Sequence, residues 1–202
     1  MTHYSQDGQD RWLDENVFQG KRDGVFAEIG AYDGIGSSNT LFFERERGWR
    51  GLLVEANSDY VDTLRRERPL ATIIVAAAYD RDGEVTLNVV SAMLGWSGIA
   101  NEIEPQHAER CAQYVVRQRT VRCLPLARMF EVAGLTRVDY LSLDVEGAEA
   151  AVLRAFPFAE FPVDVIGVEN SWHRPEIDAI LLPAGYEKIG RVGSDDFYRR
   201  AA

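Results

Sequence analysis

Three things are scarce in this 202-residue sequence. Cysteine occurs twice, at Cys111 and Cys123, with no CxxC pair. That excludes a disulfide scaffold and argues against a cysteine-based metal site. Long apolar runs are missing: the longest is roughly Ile73–Tyr79, far short of the ~20 residues of a membrane span. Positive charge is also short, with 22 Lys and Arg against 32 Asp and Glu, a net charge of −10 and a pI near 4.8. Such a surface repels phosphate backbones and anionic membranes, so neither is an expected partner. The segment Met1–Gln6 has no basic stretch and no apolar run. No signal peptide is therefore expected, and the location expected is cytoplasmic. Linkers, low-complexity tracts and repeats are absent as well. What is present is an average globular composition, 46% apolar and 27% charged, which suits one domain over residues 1–202.

Short apolar runs alternate with helix-like segments. Strands are predicted at 24–29, 51–55, 71–76, 139–143 and 163–168, and helices at 9–18, 39–47, 58–68, 147–155 and 175–182. Pro175 suits a first helical turn. Strands apolar on both faces and separated by helices predict an α/β fold with a mostly parallel, doubly wound sheet. Residues 84–90 after Asp82-Gly83 read as a strand paired through a tight turn, and residues 91–118 as a loop followed by a helix from about Gln106. Together, 84–124 are expected to be an insertion near the sheet edge. Arg117, Arg119 and Arg122 suggest the outer face of an edge strand. The segments 186–189 and 196–199 predict a final antiparallel hairpin.

The informative segment is Glu28-Ile29-Gly30-Ala31-Tyr32-Asp33-Gly34. An acid closes the first strand, and glycines then let the backbone approach a ligand at the strand's carboxyl end. The glycines at 30, 34 and 36 do not match G-x-G-x-x-G, so a dinucleotide pyrophosphate is disfavoured. The second strand ends in Glu55, placed to accept two ribose hydroxyls. Ala78, Tyr79 and Asp80 follow the third strand, where an adenine is expected.

The pattern E-x-G-x-x-x-G resembles the first motif of class I S-adenosylmethionine-dependent methyltransferases. The chain as a whole resembles the FkbM family of methyltransferases. The likeness runs through Tyr4-Ser5-Gln6-Asp7-Gly8-Gln9-Asp10, Glu28-Ile29-Gly30-Ala31, Asp33-Gly34, Ser38-Asn39-Thr40, Val54-Glu55-Ala56-Asn57, Asp82-Gly83, residues 139–149 and Val168-Glu169. It implies a Rossmann-like fold and mostly O-methylation of sugars or natural products. Its implied cofactor site takes in Glu28, Gly30, Ala31, Asp33, Gly34, Asn39, Glu55, Ala56 and Asn57, with Glu28 suited to the cofactor's ammonium. One departure is Tyr32, where Asn is more usual. The likeness also implies that Ser5, Gln6, Gln9 and Asp10 fold over the cofactor as a lid; from the residues alone they also suit a helix N-cap.

Asp144 closes the fourth strand and Glu169-Asn170 the fifth, on the edge that bears the cofactor crevice. Their oxygens are ligands that Mg²⁺ or Mn²⁺ accepts, in an order similar to that of catechol O-methyltransferases. Candidate bases for the acceptor hydroxyl are Asp144, Glu146 and His173. Gln6 and the loop Met93-Leu94-Gly95-Trp96-Ser97, through Trp96 and Ser97, are candidate substrate contacts. The expected function is O-methylation of a small-molecule hydroxyl. The alternatives are a nucleotide-binding oxidoreductase and a catalytically silent adenosylmethionine-binding domain.

Overall fold

The computed structural model describes residues 1–90 and 95–201. Met93 and Leu94, named above with the substrate loop, lie outside the described residues. The core is a seven-stranded sheet in the order β3-β2-β1-β8-β9-β11-β10. Its parallel part is β1 (Val25–Ile29), β2 (Arg50–Glu55), β3 (Thr72–Val75), β8 (Val138–Leu143) and β9 (Val163–Glu169). The hairpin of β10 (Tyr186–Val192) and β11 (Asp195–Arg200) adds antiparallel strands, with β11 against β9. The five core strands expected from the apolar runs are therefore all present, within a residue or two at each end.

Both faces of the sheet are covered, which is why its strands lack polar alternation. Phe26, Leu53, Tyr140 and Phe197 pack on one face with Leu13, Phe42, Phe43, Trp49 and Leu64. Except for Trp49, just before β2, these come from the N-terminal helix α1 (Gln9–Leu13, continued by a wider turn over Asp14–Phe18) and from α2 (Leu41–Arg47) and α3 (Val61–Glu67). Ala27, Leu52, Leu141 and Ile166 face the other way, against α5 (Leu126–Ala133), α6 (Glu149–Ala155) and α7 (Pro175–Leu181).

A second, four-stranded sheet has the order β4-β7-β5-β6, from β4 (Ala77–Tyr79), β5 (Gly83–Val90), β6 (Gly98–Ile99) and β7 (Val116–Pro125). Helix α4 (Pro105–Cys111) joins β6 to β7. One expectation needs correcting here. The Asp82-Gly83 turn does not pair β5 with the strand before it, because β7 lies between them, parallel to β4 and antiparallel to β5. Arg117, Arg119 and Arg122 lie on the part of β7 that pairs with β5 alone, since β4 meets β7 only at Cys123–Pro125. Arg119 reaches Asp59 at 2.8 Å. Both cysteines are buried and free. Among the described residues no helix is long and apolar enough to cross a membrane.

Candidate active site

Beyond Ile29 the chain turns across the tip of β2, and the Gly30 and Ala31 N–H groups both donate to the Val54 carbonyl at 2.9 Å. Gly30 has φ +91°, and a Cβ there would lie 1.7 Å from the Asp144 carbonyl oxygen. Only glycine lets the tips of β1 and β8 close together. The loop that follows is held by a buried acid and a buried base. Glu28 accepts from Ser38 Oγ (2.9 Å), Thr40 Oγ1 (2.5 Å) and the Asn39 N–H (2.8 Å). Arg68, just past α3 and 0% exposed, lies 3.5 Å from Glu28 and 2.9 Å from Glu44. It also donates to Gly34 O, Ser38 Oγ and Thr40 Oγ1.

The result is a cavity of about 200 Å³ at the carboxyl ends of β1, β2 and β8. Its walls include Gln6, Glu28, Gly30, Ala31, Tyr32, Glu55, Ala56, Tyr60, Ala78, Asp144 and Glu146, and the second sheet with the residues just before β6 contributes Leu87 and residues 95–99. Tyr32 and Tyr60 meet edge to face at 4.6 Å. Glu55 accepts from the N–H groups of Tyr32 (2.8 Å) and Asn57 (2.6 Å). Burial nevertheless raises its pKa to about 7. Asp144 and Glu146 are also pushed up, first by burial and then by the acids around them, and Glu169 rises to about 7 for the same reasons. Asp144 Oδ1 is buried and has no hydrogen-bond partner.

The cavity thus gathers eleven of the residues expected from the sequence: Gln6, Glu28, Gly30, Ala31, Glu55, Ala56, Ala78, Trp96, Ser97, Asp144 and Glu146. The other candidates sit elsewhere. Asp33 caps its own turn through Ile35 N and Gly36 N. Gly34 packs on Arg68 and Leu64. The Asn39 amide donates to Ser142 and Asp195, and Asn57 accepts from Asp59 N and Arg119. Tyr79 points away to Glu102, and Asp80 is exposed beside it. His173, the third candidate base, is exposed at φ +52° and lies outside the cavity lining. Of the N-terminal segment, Gln6 lines the cavity while Ser5 and Asp10 bond to each other, and the cap position of α1 is Gly8. Arg68, Tyr60 and Leu87 went unnoticed in the sequence. Only the alternating pattern of β5 hinted at the last.

The expected metal cage does not assemble. Asn170 is turned to Asp196 and Arg174. One oxygen from each of Asp144, Glu149 and Glu169 falls within 4.8 Å of the others. Glu149, however, is fully buried against the Arg174 guanidinium and the Val145 and Gly147 N–H groups. A cation is already in place there, so the donor set does not fit a divalent ion.

The family model described as the Methyltransferase FkbM domain matches residues 28–188. The chain belongs to the FkbM methyltransferase family. Among solved structures, the FkbM methyltransferase of Methylobacillus flagellatus KT aligns over 97% of this chain at a TM-score of 0.56 and 13% identity. The chain spans 48% of that protein's length. The fibrillarin pre-rRNA processing protein of Methanococcus jannaschii aligns over 93% of this chain and 70% of its own, at a TM-score of 0.51 and 13% identity. At such identities the likeness shows the fold, the Rossmann-like class I methyltransferase arrangement. No curated protein matches the chain.

Proposed function

We propose that this FkbM-family chain is an S-adenosylmethionine-dependent O-methyltransferase acting on a small-molecule hydroxyl, of the sugar or secondary-metabolite class. The observation that carries the reading is the single cavity that brings Glu55 together with Asp144 and Glu146. When bound, S-adenosylmethionine supplies a methyl carbon on a sulfonium leaving group. Glu55 suits the ribose hydroxyls: it lines the cavity, two backbone N–H groups orient its carboxylate, and each oxygen keeps a lone pair to accept with. Ala76, Ala78 and Leu87 offer an apolar wall to the adenine. Glu28 is assigned a different task from the one its position suggested. Its oxygens are taken by Ser38, Asn39 and Thr40, so it shapes the loop and leaves the free buried acceptor, Asp144 Oδ1, to a donor group of the ligands.

What remains for the protein is alignment and proton removal, worth roughly 10⁵ M or more in effective molarity and ~10²–10⁴ in rate. Of the candidate bases, Asp144 and Glu146 line the cavity. The acids of this site repel a pyrophosphate, which with the glycine spacing disfavours an oxidoreductase, and they equally disfavour a nucleic-acid backbone as acceptor. The reading includes a cytoplasmic location, where free thiols such as Cys111 and Cys123 are normal.

Titration calorimetry with S-adenosylmethionine, S-adenosylhomocysteine and NAD tests the first step: both adenosyl ligands bind and NAD does not. Failure of both adenosyl ligands rejects the proposal. Transfer of a labelled methyl group to a panel of sugars and phenolic metabolites then separates an enzyme from a silent binder. Turnover is expected to survive a chelator.

A further inference from the structure

We propose that His107 is the positioning residue of Glu146, and that the two share a proton so that Glu146 receives the acceptor's hydroxyl proton during methyl transfer. The inference rests on the methyltransferase reading of the cavity. His107 comes from α4 and was not singled out by its sequence context. It is 6% exposed, with Nδ1 3.2 Å from Glu146 Oε2 and Nε2 3.1 Å from the Trp96 carbonyl oxygen. A carbonyl only accepts, so Nε2 carries a hydrogen. A neutral imidazole of that tautomer would turn a bare lone pair on a carboxylate oxygen. The contact is attractive only when one proton lies between Nδ1 and Oε2.

Nothing near the pair has slack. Glu146 holds a left-handed backbone, φ +56°. A Cβ on Gly98 would lie 2.7 Å from the Glu146 carbonyl oxygen, and one on Gly147 would lie 2.3 Å from that of Glu102. The second sheet therefore meets the 146–147 backbone directly, and Trp96 packs edge-on to His107 at 5.8 Å. The charged and titratable groups around Glu146 are Asp144, Glu149 and Glu169, with Arg110 and Cys111 on the α4 side. An acid so surrounded resists ionising, and the imidazole beside it offsets that resistance.

Glu146 also lines the cavity, which leaves its second oxygen to the acceptor. The acceptor oxygen forms a bond to the methyl carbon while the carbon–sulfur bond breaks and its electron pair stays on sulfur. The hydroxyl proton passes to Glu146, and the shared proton settles on His107 Nδ1. The positive charge lost at sulfur thus reappears on the imidazole.

The chain has three histidines, so ring-nitrogen NMR resolves each. With the ¹⁵N-histidine-labelled chain saturated with S-adenosylhomocysteine, the His107 Nδ1 signal reports a shared proton. In Glu146→Gln, where the amide donates to a bare nitrogen, it moves to the unprotonated side while His3 and His173 stay put. A His107 signal unchanged by Glu146→Gln overturns the pair. On an acceptor that turns over, Glu146→Gln and His107→Gln lower kcat about 100-fold or more, with KM and S-adenosylhomocysteine affinity within about threefold. A loss confined to KM overturns the role. Loss of S-adenosylhomocysteine binding by the wild-type chain would instead count against the methyltransferase reading.

Discussion

Arg68 is the sharpest point at which to test how the site is built. Substituting Met keeps the length and apolar character of the side chain and removes the charge. In the native structure the guanidinium lies between Glu28 and Glu44, whose side chains are 6% and 7% exposed, and it holds three oxygens of the loop that walls the cavity. Arg68→Met leaves two buried carboxylates without a cation. Breaking a buried pair in this way costs about 3–5 kcal/mol. For a chain of this length each kcal/mol moves Tm by about 2–4 °C, so the expected drop is about 6–20 °C. Loop residues 30–38 lose their tether at the same time, and S-adenosylhomocysteine affinity is expected to fall. Calorimetric melting and ligand titration read the two effects. Adding Glu28→Gln and Glu44→Gln to Arg68→Met should recover much of the stability, because no charge is then stranded. A drop in Tm below about 3 °C for Arg68→Met alone would refute this account of the loop.

Arg174→Met strands the fully buried Glu149 in the same manner and is expected to cost about 3–5 kcal/mol in urea unfolding. Gly30→Ala forces a Cβ into the Asp144 carbonyl oxygen at a positive φ, so the β1–β8 contact must open and soluble yield or Tm falls sharply. The folded pKa of Glu55 is raised from 4.5 to about 7, so the folded chain holds a proton that the unfolded one releases. This contribution to stability is complete below about pH 4.5 and is lost as pH rises through 7. Measured against Glu55→Gln in the ligand-free protein, the wild type is expected to lose on the order of 3 kcal/mol between pH 5 and 8. A pH-independent difference would contradict it. Arg128→Ala breaks an exposed pair with Glu131 and should change stability by less than about 1 kcal/mol in the same assays.

The parallel sheet was legible because its strands are buried on both faces, and a run such as Leu52-Leu53-Val54 has few other readings. The tips of β1 and β2 were legible too: an acid and glycines at the end of an apolar run mark a tight turn, and the cavity opens there. The second sheet was harder. The place of β7 between β4 and β5 is set by pairing with residues distant in the chain, such as Ala77 with Cys123 and Gly83 with Cys123, and no local pattern records that. Tyr79 and Asp80 illustrate the cost. They follow the third core strand in sequence, yet β4 has already left that sheet and carries them to the far side.

Charge accounting explains why the chemistry was the least legible part. Acids near the strand tips fall into two kinds. Glu28, Glu149 and Glu146 each meet a basic side chain supplied from a distant segment, respectively Arg68, Arg174 and His107. Glu55 and Asp195 receive only neutral donors, and burial raises them to about 7 and about 6. Asp144 is also raised, by burial first and then by the acids around it, and keeps an oxygen with no partner. In the sequence all six are simply acids near strand ends. A carboxylate neutralised from within has its orientation fixed by the fold, whereas one left underpaired gains most from a cation or a hydroxyl that arrives. On the function proposed above, Glu28 and Glu149 hold the architecture, Glu55 and Asp144 are left for the ligand, and Glu146, with Oε2 on His107 and its residue on the cavity wall, serves both.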